Sequence, residues 1–291
     1  MKLRIGHTEL SLQRPVVMTI INVTPDSFYE KSRTRFPDEI LNRAEQAISD
    51  GAAILDIGGY SSRPGAADVP AEEEFRRIAT ALEPIRKKFP DIPISIDTFR
   101  AEVLEQVLSH FGPCMANDIT AASADPRIAE VAALNHLPFV AMHMRGTPQN
   151  MQSLTQYDDF LGEIRRYFFS KIDFLRRSGI EQIILDPGFG FSKTVEQNFF
   201  LLNNLSEVFK EMGCPILSGI SRKSMIYKTL DTTPDQALTG TIALHWECLR
   251  QGSSILRVHD TREAAQVIRL YEQFVSSQKM IDHDDTGKKH P

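Results

Sequence analysis

The feature that most constrains the fold is an eightfold alternation of short apolar segments with amphipathic helical segments between residues 16 and 275. Most of the apolar segments are rich in Val, Ile and Leu, and each is followed by apolar residues at helical spacing. Strands that alternate with helices pair in parallel, because each helix returns the chain to the start of the next strand. The predicted strands are 16–22, 53–59, 93–97, 114–119, 139–144, 183–191, 215–220 and 254–260.

Eight strand–helix units close most naturally into a (β/α)8 TIM barrel. The alternative is an open doubly wound sheet. That fold usually carries a glycine-rich phosphate loop after its first strand, whereas this chain has Asn-Val-Thr-Pro-Asp-Ser at 22–27. No shift in composition interrupts the pattern, so we predict a single domain over 1–275. A short hairpin at 3–12 precedes the barrel strands within this domain, and a polar segment at 276–291 is expected to be disordered.

Composition excludes several classes of function. The formal net charge of -5 argues against non-specific nucleic-acid binding, which needs a basic surface. The three cysteines, Cys114, Cys214 and Cys248, are too far apart for a zinc cluster or a redox pair, and they suit a reducing cytoplasm. The N-terminus resembles no secretory signal, and no apolar run reaches the length of a membrane span. We therefore expect a cytoplasmic enzyme that binds neither nucleic acid nor membrane.

All eight predicted strands end in, or are followed closely by, polar side chains. Taken singly, an Asp or Asn there is more often a helix cap or a turn former, and a His is more often a core residue. Together they indicate a site, because the carboxyl ends of barrel strands meet at one face and burying so many polar groups is costly. These residues are Asn22, Asp56, Asp97, Asn117, Asp118, His143, Asp186, Lys223, Arg257 and His259.

Two chemical subsets can be recognised among these side chains. Carboxylates, an amide and an ammonium at Asp97, Asn117, Asp186 and Lys223 suit a planar heterocycle with an aminopyrimidinone edge. The cationic and polar groups suit an anion with a hard metal ion, because Arg matches phosphate oxygens with its planar fork. The residues alone therefore predict a barrel enzyme that acts on a phosphorylated heterocycle. This second subset comprises Asn22, Ser61, Ser62, Arg63, Arg257 and His259.

The motifs themselves resemble those of the dihydropteroate synthases, a family of pterin-binding enzymes. Asp97-Thr98 and Asn117-Asp118-Ile119 fall between the longer motifs in the expected order, and the resemblance covers residues 3–275. The longer motifs are Asn-Val-Thr-Pro-Asp-Ser-Phe at 22–28, Gly-Gly-Tyr-Ser-Ser-Arg-Pro-Gly at 58–65, Asp-Pro-Gly-Phe-Gly-Phe at 186–191, Gly-Ile-Ser-Arg-Lys-Ser at 219–224 and Arg-Val-His at 257–259.

The resemblance implies a TIM barrel and an alkyl-group transferase of folate biosynthesis. The family condenses 6-hydroxymethyl-7,8-dihydropterin pyrophosphate with 4-aminobenzoate to give 7,8-dihydropteroate and pyrophosphate, and it is a target of sulfonamides. It further implies magnesium as the metal and a homodimer formed through outer helices near the C-terminus.

The resemblance also implies roles for individual residues, with Arg257, His259, Lys223 and Asp97 as the catalytic set. We further expect Arg257→Ala to depress turnover while leaving pterin affinity mostly intact. The implied pterin contacts are Asp97, Asn117, Met142, Asp186, Gly219 and Lys223. Those for pyrophosphate are Asn22, Ser62, Arg63, Arg257 and His259, with Asn22 as the metal ligand. Those for 4-aminobenzoate are Pro64, Phe191, Lys223 and Ser224.

Some positions depart from the family pattern. Tyr60 replaces a common Glu, Ser62 replaces Thr, and Tyr227 replaces an expected Gly; the segment at 29–33 also replaces the usual acidic-glycine sequence. Two alternatives remain open. One is a related methyltransferase that passes a methyl group from methyltetrahydrofolate to a corrinoid and shares the pterin contacts. The other is a pterin-binding homologue without catalysis. The anion-binding residues favour the synthase over both.

Overall fold

The computed structural model describes residues 1–23, 36–61 and 68–285, with side chains left out at 36 and from 278 onward. Eight parallel strands form a closed barrel, in which the last strand pairs with the first barrel strand. The predicted TIM barrel is therefore confirmed over the open sheet. The barrel strands are β3 (Val16–Asn22), β4 (Ala52–Gly58), β5 (Ile94–Asp97), β6 (Met115–Asp118), β7 (Phe139–Met142), β8 (Ile183–Asp186), β9 (Ile216–Ser218) and β10 (Ser253–Val258).

Helices surround the barrel and pack on the outward faces of the strands. Short 3-10 helices at Met151–Ser153 and Pro234–Gln236 interrupt the connections after β7 and β9. The α-helices are α1 (Phe36–Ser49), α2 (Ala71–Lys88), α3 (Ala101–Phe111), α4 (Arg127–Leu134), α5 (Phe160–Arg177), α6 (Val195–Asn203), α7 (Leu205–Phe209), α8 (Ser224–Tyr227), α9 (Leu238–Arg250) and α10 (Thr261–Asp285).

Two helices differ from their sequence-based prediction. The helix expected over 194–212 is divided at Asn204, whose side-chain amide donates to the carbonyl of Phe200 and competes with the backbone ladder. The final helix continues to Asp285, ten residues past its predicted end at 275 and into the segment expected to be disordered. No Gly or Pro occurs between 276 and 286, so the sequence offers no stop signal there.

The predicted N-terminal hairpin is present as β1 (Lys2–Ile5) and β2 (Thr8–Ser11). Leu3 and Ile5 are buried against side chains inside the barrel, namely Met18, Ile54, Met115, Val140, Ile184, Leu217 and Ile255. Gln182, just before β8, exchanges hydrogen bonds with the backbone N–H and C=O of Arg4. The hairpin therefore closes the bottom of the barrel, opposite the carboxyl ends of the strands.

Residue parity along each strand decides which side chains face the barrel interior, because successive side chains alternate between the two faces. In β5, Ile94 and Ile96 belong to the core between strands and helices, so Ser95 and Asp97 face inward. The same test places the following residues inward: Asn22, Asp56, Asn117, Met142, Asp186 and Arg257. It places Asp118 and His143 outward, because they share the parity of Ala116 and Ala141.

Candidate active site

The inward polar residues meet at the carboxyl end of the barrel around the guanidinium of Arg257. Its Nε donates to Asp56 Oδ2 at 2.6 Å, and its Nη2 donates to Asp97 Oδ2 at 2.6 Å. Asn117 Nδ2 donates to both oxygens of Asp56 at 3.2 Å. Residues from four strands thus form one hydrogen-bonded group, which the parity of each strand brings together.

Burial divides this group into a fixed part and an accessible part. The Asp56 side chain is fully buried, whereas Arg257 and Asp97 keep 19% and 20% of their side-chain surface exposed. Asp56 therefore orients Arg257 and Asn117 from below. Asp97 and Arg257 remain available to a ligand that enters from the open end of the barrel.

The charges in this group strongly perturb one another. Burial raises the pKa of Asp97 to about 7; the Arg257 cation opposes that shift, and the Asp56 carboxylate adds to it. Burial acts to lower the pKa of Arg257, but Asp56 and Asp97 outweigh it and raise that pKa above its usual range. A carboxyl that titrates near neutrality beside a fixed cation is typical of a functional site.

Lys223 and Asp186 form the second charged pair of the site. Lys223 Nζ donates to the carbonyl of Phe189 at 2.6 Å, and Asp186 Oδ1 accepts from the N–H of Gly188 at 2.8 Å. Burial lowers the pKa of Lys223 to about 8, although Asp186 favours the charged form. Burial also raises the pKa of Asp186, which Lys223 and the Gly188 N–H oppose. The loop after β8 therefore holds both groups.

Gly219 lies between the two charged groups. A Cβ at this position would lie 3.8 Å from Arg257 Cβ and 3.8 Å from Lys223 Nζ. A larger side chain would therefore occupy the space between the two cations. The absence of a side chain leaves room for a flat ligand that contacts both.

An apolar wall borders the charged groups on the side of β6 and β7. Met142 is buried in a small cluster with Ile119, Met144 and Met151, against which Phe99 and Phe191 pack. Lys223 Nζ also lies 4.8 Å from the centre of the Phe191 ring, a cation–π contact. The site thus has a hydrophobic surface suited to an aromatic ligand beside a polar edge.

His259 follows Arg257 by two residues and lies just before α10. The hydroxyl of Ser221 accepts from the His259 backbone N–H at 3.2 Å and lies 3.1 Å from Nδ1. His259 also lines a cavity of about 450 Å³ with Thr19, Asp260 and Arg262. Arg222 does not belong to this group, because its Nε and Nη2 donate to the two carboxylate oxygens of Asp260, each at 2.8 Å.

The remaining sequence-predicted residues lie in different situations. Asn22 ends β3 in register with Gly58 of β4, and Ser224 begins α8 directly after Lys223. Ser62, Arg63 and Pro64 lie outside the described residues. Asp118 and His143 do not join the group around Arg257, because their strands present them outward.

The structure shows the surroundings of two residues that depart from the family pattern, Tyr60 and Tyr227. Tyr60 is nearly buried: its ring packs edge-on to Phe99 at 5.1 Å and faces the guanidinium of Arg100 at 5.3 Å. Its hydroxyl accepts from Gln149 Nε2 at 3.0 Å. Tyr227 lies within α8 without a positive φ, so nothing about the backbone there requires glycine.

Sequence reasoning missed the roles of Asp56 and Lys193. Asp56 was among the strand-end residues but had no assigned role, although its inward parity with Asn117 and Arg257 was a usable signal. Lys193 is a buried cation behind the Gly188–Phe191 loop, with hydrogen bonds to two loop carbonyls. The sequence feature that could have indicated this role is the position of Lys193 directly before Thr194, the N-cap of α6.

Among the described residues, no group of three or more His, Cys, Asp or Glu side chains is arranged to hold a metal ion. Mg²⁺ commonly takes only one or two protein oxygens and completes its coordination shell with phosphate and water. The single amide oxygen of Asn22 is therefore compatible with Mg²⁺ binding. No helix in the described part of the chain has the length and apolar character of a membrane span.

Comparison with known proteins gives consistent relatives. A family model described as "Pterin binding enzyme" matches residues 18–259. The chain is 45% identical over 261 residues to a dihydropteroate synthase of Synechocystis sp., covering 89% of each chain. It is 40% identical over 281 residues to that of Escherichia coli, covering 96% of this chain and 98% of the relative.

Solved structures agree with these sequence matches. A Yersinia pestis dihydropteroate synthase in complex with a sulfonamide drug superposes with a TM-score of 0.88 at 39% identity, covering 95% of this chain and all of the other. A Xanthomonas albilineans dihydropteroate synthase with 4-aminobenzoic acid gives a TM-score of 0.87 at 34% identity, covering 94% and 97%.

Proposed function

This chain belongs to the dihydropteroate synthase family of pterin-binding enzymes, and we propose that it condenses 6-hydroxymethyl-7,8-dihydropterin pyrophosphate with 4-aminobenzoate. The products are 7,8-dihydropteroate and pyrophosphate. The observation that carries the proposal is the Asp56–Arg257–Asp97 group beside Lys223 and Asp186, because it offers a polar edge for the pterin and a cation for the leaving group at one place.

The pterin binds at the polar edge formed by β5, β6 and β8. The Asp97 and Asp186 carboxylates accept from ring N–H and amino groups, while Asn117 and Lys223 provide donors for ring oxygen and nitrogen atoms. Met142 packs against the ring, and Gly219 leaves space for it. The hydrogen bonds from Asp56 hold Asn117 and Arg257 in place before the ligand arrives.

The pyrophosphate binds towards Arg257, His259 and Asn22, and the sequence adds Ser62 and Arg63 to this set. Arg257 and His259 neutralise the charge that develops on the leaving oxygen. The bond between the exocyclic methylene and the pyrophosphate oxygen breaks, and the dihydropterin shares the positive charge left on the methylene. The arylamine nitrogen then forms the new C–N bond and releases one proton to solvent. Such a step needs no strong enzymic base.

The 4-aminobenzoate ring lies against Phe191, the sequence adds Pro64 to this site, and Lys223 and Ser224 bind the polar groups of the substrate. The cation–π contact between Lys223 and Phe191 supports this arrangement, because it places an ammonium beside an aromatic wall. Lys223 therefore contacts both substrates at the place where they react.

Mg²⁺ is the proposed metal, with Asn22 as its protein ligand. When bound it would reduce the negative charge of the pyrophosphate. Isothermal titration of Mg²⁺ together with inorganic pyrophosphate tests this without turnover: Asn22→Ala should weaken the Mg²⁺-dependent part of pyrophosphate binding. Equal Mg²⁺ dependence in the variant and the unaltered protein would contradict the assignment.

Pyrophosphate release on mixing protein, pterin pyrophosphate, Mg²⁺ and 4-aminobenzoate tests the function. Release that requires both organic substrates supports the synthase. Corrinoid-dependent demethylation of methyltetrahydrofolate would instead identify a methyltransferase, and tight pterin binding without release would identify a non-catalytic homologue. Asp97→Asn should abolish most of the release, whereas Glu207→Gln, on the exposed face of α7, should leave it unchanged.

A homodimer through α9 and α10 is the proposed assembly. Leu270 and Phe274 of α10 are 66% and 51% exposed, and Trp246 of α9 packs beside them with ring centres 5.4 Å apart from Phe274. An apolar patch of this kind favours association. Light scattering after gel filtration should give twice the chain mass, and Phe274→Asp should shift it towards one chain mass while the circular dichroism spectrum stays unchanged.

We place the enzyme in the cytoplasm. Cys114 and Cys248 are buried as free thiols, and Cys214 is also unpaired. Free cysteines persist in a reducing compartment. Cell fractionation followed by immunodetection tests the assignment.

A further inference from the structure

Lys193 is a buried cation at an electrostatically unfavourable place. It is only 5% exposed and directly precedes Thr194, the N-cap of α6. The helix dipole disfavours a positive charge at this end, and burial lowers the pKa of Lys193 to about 7. A charge in such a position needs specific partners.

The partners of Lys193 lie in one loop and one neighbouring strand end. Its Nζ donates to the carbonyls of Gly188 at 2.9 Å and Phe191 at 3.0 Å, and it lies 2.9 Å from Nδ1 of His143. Three acceptors use all three donors of an ammonium group. The outward-facing His143 thus finds its role here rather than among the substrate-binding residues.

The loop that Lys193 grips is tightly constrained. Gly188 and Gly190 have φ values of +68° and +82°. A Cβ at Gly188 would lie 2.0 Å from the carbonyl oxygen of His143, so only glycine fits there. Ser192 closes the far end of the loop, because its hydroxyl exchanges hydrogen bonds with the backbone of Arg145.

The same loop presents its other side to Lys223. The carbonyl of Phe189 accepts from Lys223 Nζ at 2.6 Å, between the two carbonyls that Lys193 binds. The Phe191 ring also lies against Lys223. Two lysines therefore hold three carbonyls of one loop: Lys193 binds those of Gly188 and Phe191 from behind, and Lys223 binds that of Phe189 from the site.

Lys193 also adds a third positive charge near Asp186, after those of Lys223 and Arg257. All three cations favour the ionised form of that carboxyl, although burial raises its pKa. Removing the Lys193 charge would raise the pKa of Asp186, as burial does. Through the position of the loop and through its own charge, Lys193 therefore influences two substrate-binding groups, Lys223 and Asp186.

We propose that Lys193 is a positioning residue that holds the Gly188–Phe191 loop so that Phe191 and Lys223 receive the arylamine substrate. The inference rests on the proposed synthase function. Lys193 itself does not contact the substrates. It acts through the loop carbonyls, and its loss should affect 4-aminobenzoate more than the pterin, which is also held by Asp97 and Asn117.

Steady-state kinetics of Lys193→Met test this role. We expect the KM for 4-aminobenzoate to rise about 10-fold or more, because small displacements of positioning groups strongly weaken a reactive complex. The Kd of the pterin substrate, from titration calorimetry, should rise by less than about 3-fold, because Asp97 and Asn117 still hold the pterin when Asp186 loses one of its neighbouring cations. Lys171→Met is the matched control: it removes an ammonium that binds Ala121 and Ser123 in a different loop. It should leave the KM for 4-aminobenzoate unchanged.

A double-mutant cycle with Phe191→Leu separates positioning from general destabilisation. If Lys193 acts through Phe191, the two substitutions together should raise the KM by less than the product of their separate effects. A multiplicative result, or an unchanged KM in folded Lys193→Met, would overturn the inference. Should Lys193→Met fail to fold, Lys193→Arg carries the same cycle, because it keeps the charge but cannot reproduce the three contacts.

The two proposals fail in distinguishable ways. If the unaltered protein releases no pyrophosphate, the proposed function fails. If it turns over normally and Lys193→Met retains its KM for 4-aminobenzoate, the proposed function stands and only the role of Lys193 is wrong.

Discussion

At the scale of single residues, Arg257 shares its charge between a buried carboxylate and an accessible one. Asp56 is fully buried, and Asp97 borders the open end of the barrel. Removing the guanidinium would leave two neighbouring carboxylates without their common partner. Breaking such a pair from one side typically costs about 3–5 kcal/mol when it is buried, and less where, as here, one member reaches solvent.

The first prediction concerns Arg257→Ala. We expect kcat/KM to fall by about 10²–10³, the effect of losing one group that stabilises a developing anion. Pterin affinity should fall as well, because Asp97 loses the cation that favours its ionised form. This replaces the sequence-based expectation that pterin affinity stays intact. Titration calorimetry with the pterin measures the second effect, and an unchanged Kd would contradict it.

Arg257→Lys is the matched variant for this experiment. It keeps the positive charge but cannot donate to Asp56 and Asp97 from separate nitrogens in a planar fork. Pterin affinity should therefore lie between those of the Ala variant and the unaltered protein. An affinity equal to that of the Ala variant would mean that geometry alone, and not charge, maintains Asp97.

The second prediction is a pH optimum between about 7 and 8 for kcat/KM of the pterin substrate. Below the Asp97 pKa of about 7 its carboxyl is protonated and no longer accepts two N–H groups. Above the Lys223 pKa of about 8 its ammonium loses a donor and its charge. Lys193, whose pKa burial lowers to about 7, loses its charge in the same alkaline direction and contributes to the same limb. Activity should therefore rise as the pH increases through 7 and decline as it increases through 8.

Asp97→Asn provides the check on that assignment. The Asn side chain does not titrate, so the acidic limb of the pH profile should flatten at a lower overall rate. The alkaline limb should remain, because Lys223 is retained. An acidic limb that persists in the Asn variant would show that another group, or the substrate, is responsible for it.

How far single residues were predictable from sequence follows from strand parity. Position at the end of an apolar strand predicts four site residues that do face inward: Asp97, Asn117, Asp186 and Arg257. Asp118 and His143 satisfied the same criterion but face outward, because position at a strand end does not specify the face. The buried role of Lys193 is not predictable in this way, because a charged residue directly before a helix is ordinarily solvent-exposed.

At the scale of elements, the β6–α4 connection shows how an outward strand-end carboxylate supports the site. Asp118 accepts from Thr120 N and Thr120 Oγ1 at 2.7 and 2.8 Å, and from Ala122 N at 2.7 Å. Ala121 and Ala122 both have positive φ values, which L-residues adopt reluctantly. The carboxylate therefore stabilises a strained turn that follows Ile119, part of the apolar wall of the site.

The third prediction is that Asp118→Asn lowers the free energy of unfolding by about 1–3 kcal/mol, the penalty for buried groups left without partners. The Asn amide nitrogen would face an N–H donor, either that of Thr120 or that of Ala122, and cannot accept from it. Urea denaturation measures the loss. Asp125→Asn, at a half-buried position of the same connection, serves as the comparison and should cost less, because Asp125 is less buried than Asp118.

Element boundaries were predictable where the chain carries explicit signals and less so elsewhere. β3 ends at Asn22 as expected, because the apolar run stops there. The division between α6 and α7 depends on a side chain that bonds to its own helix, which apolar periodicity does not reveal. The residues at 24–35 and 62–67 lie outside the described part of the chain, so the expected roles of Ser62, Arg63 and Pro64 stay predictions.

At the scale of the whole molecule, stability and chemistry occupy opposite ends of the barrel. The hairpin buries Leu3 and Ile5 at the bottom, whereas the charged groups lie at the carboxyl ends of the strands. This separation is typical of the fold. We therefore expect that the closed end can be weakened without moving the catalytic groups.

The fourth prediction uses that separation. Leu3→Ala should lower the free energy of unfolding by about 2–5 kcal/mol, because Leu3 is completely buried and its loss leaves a cavity among large side chains. At a temperature where the variant remains folded, kcat and both KM values should match those of the unaltered protein. Chemical denaturation and steady-state kinetics on the same preparation measure the two effects.

Glu9→Ala is the control on the same hairpin. Glu9 is exposed and pairs with exposed Lys2, so its removal should leave the free energy of unfolding nearly unchanged. A change in KM for either substrate in Leu3→Ala would show that the bottom of the barrel is coupled to the site through the interior layer of Met18, Ile54 and Ile255. Unchanged kinetics with a large loss of stability would establish that the strand ends hold the catalytic geometry independently of the closed end.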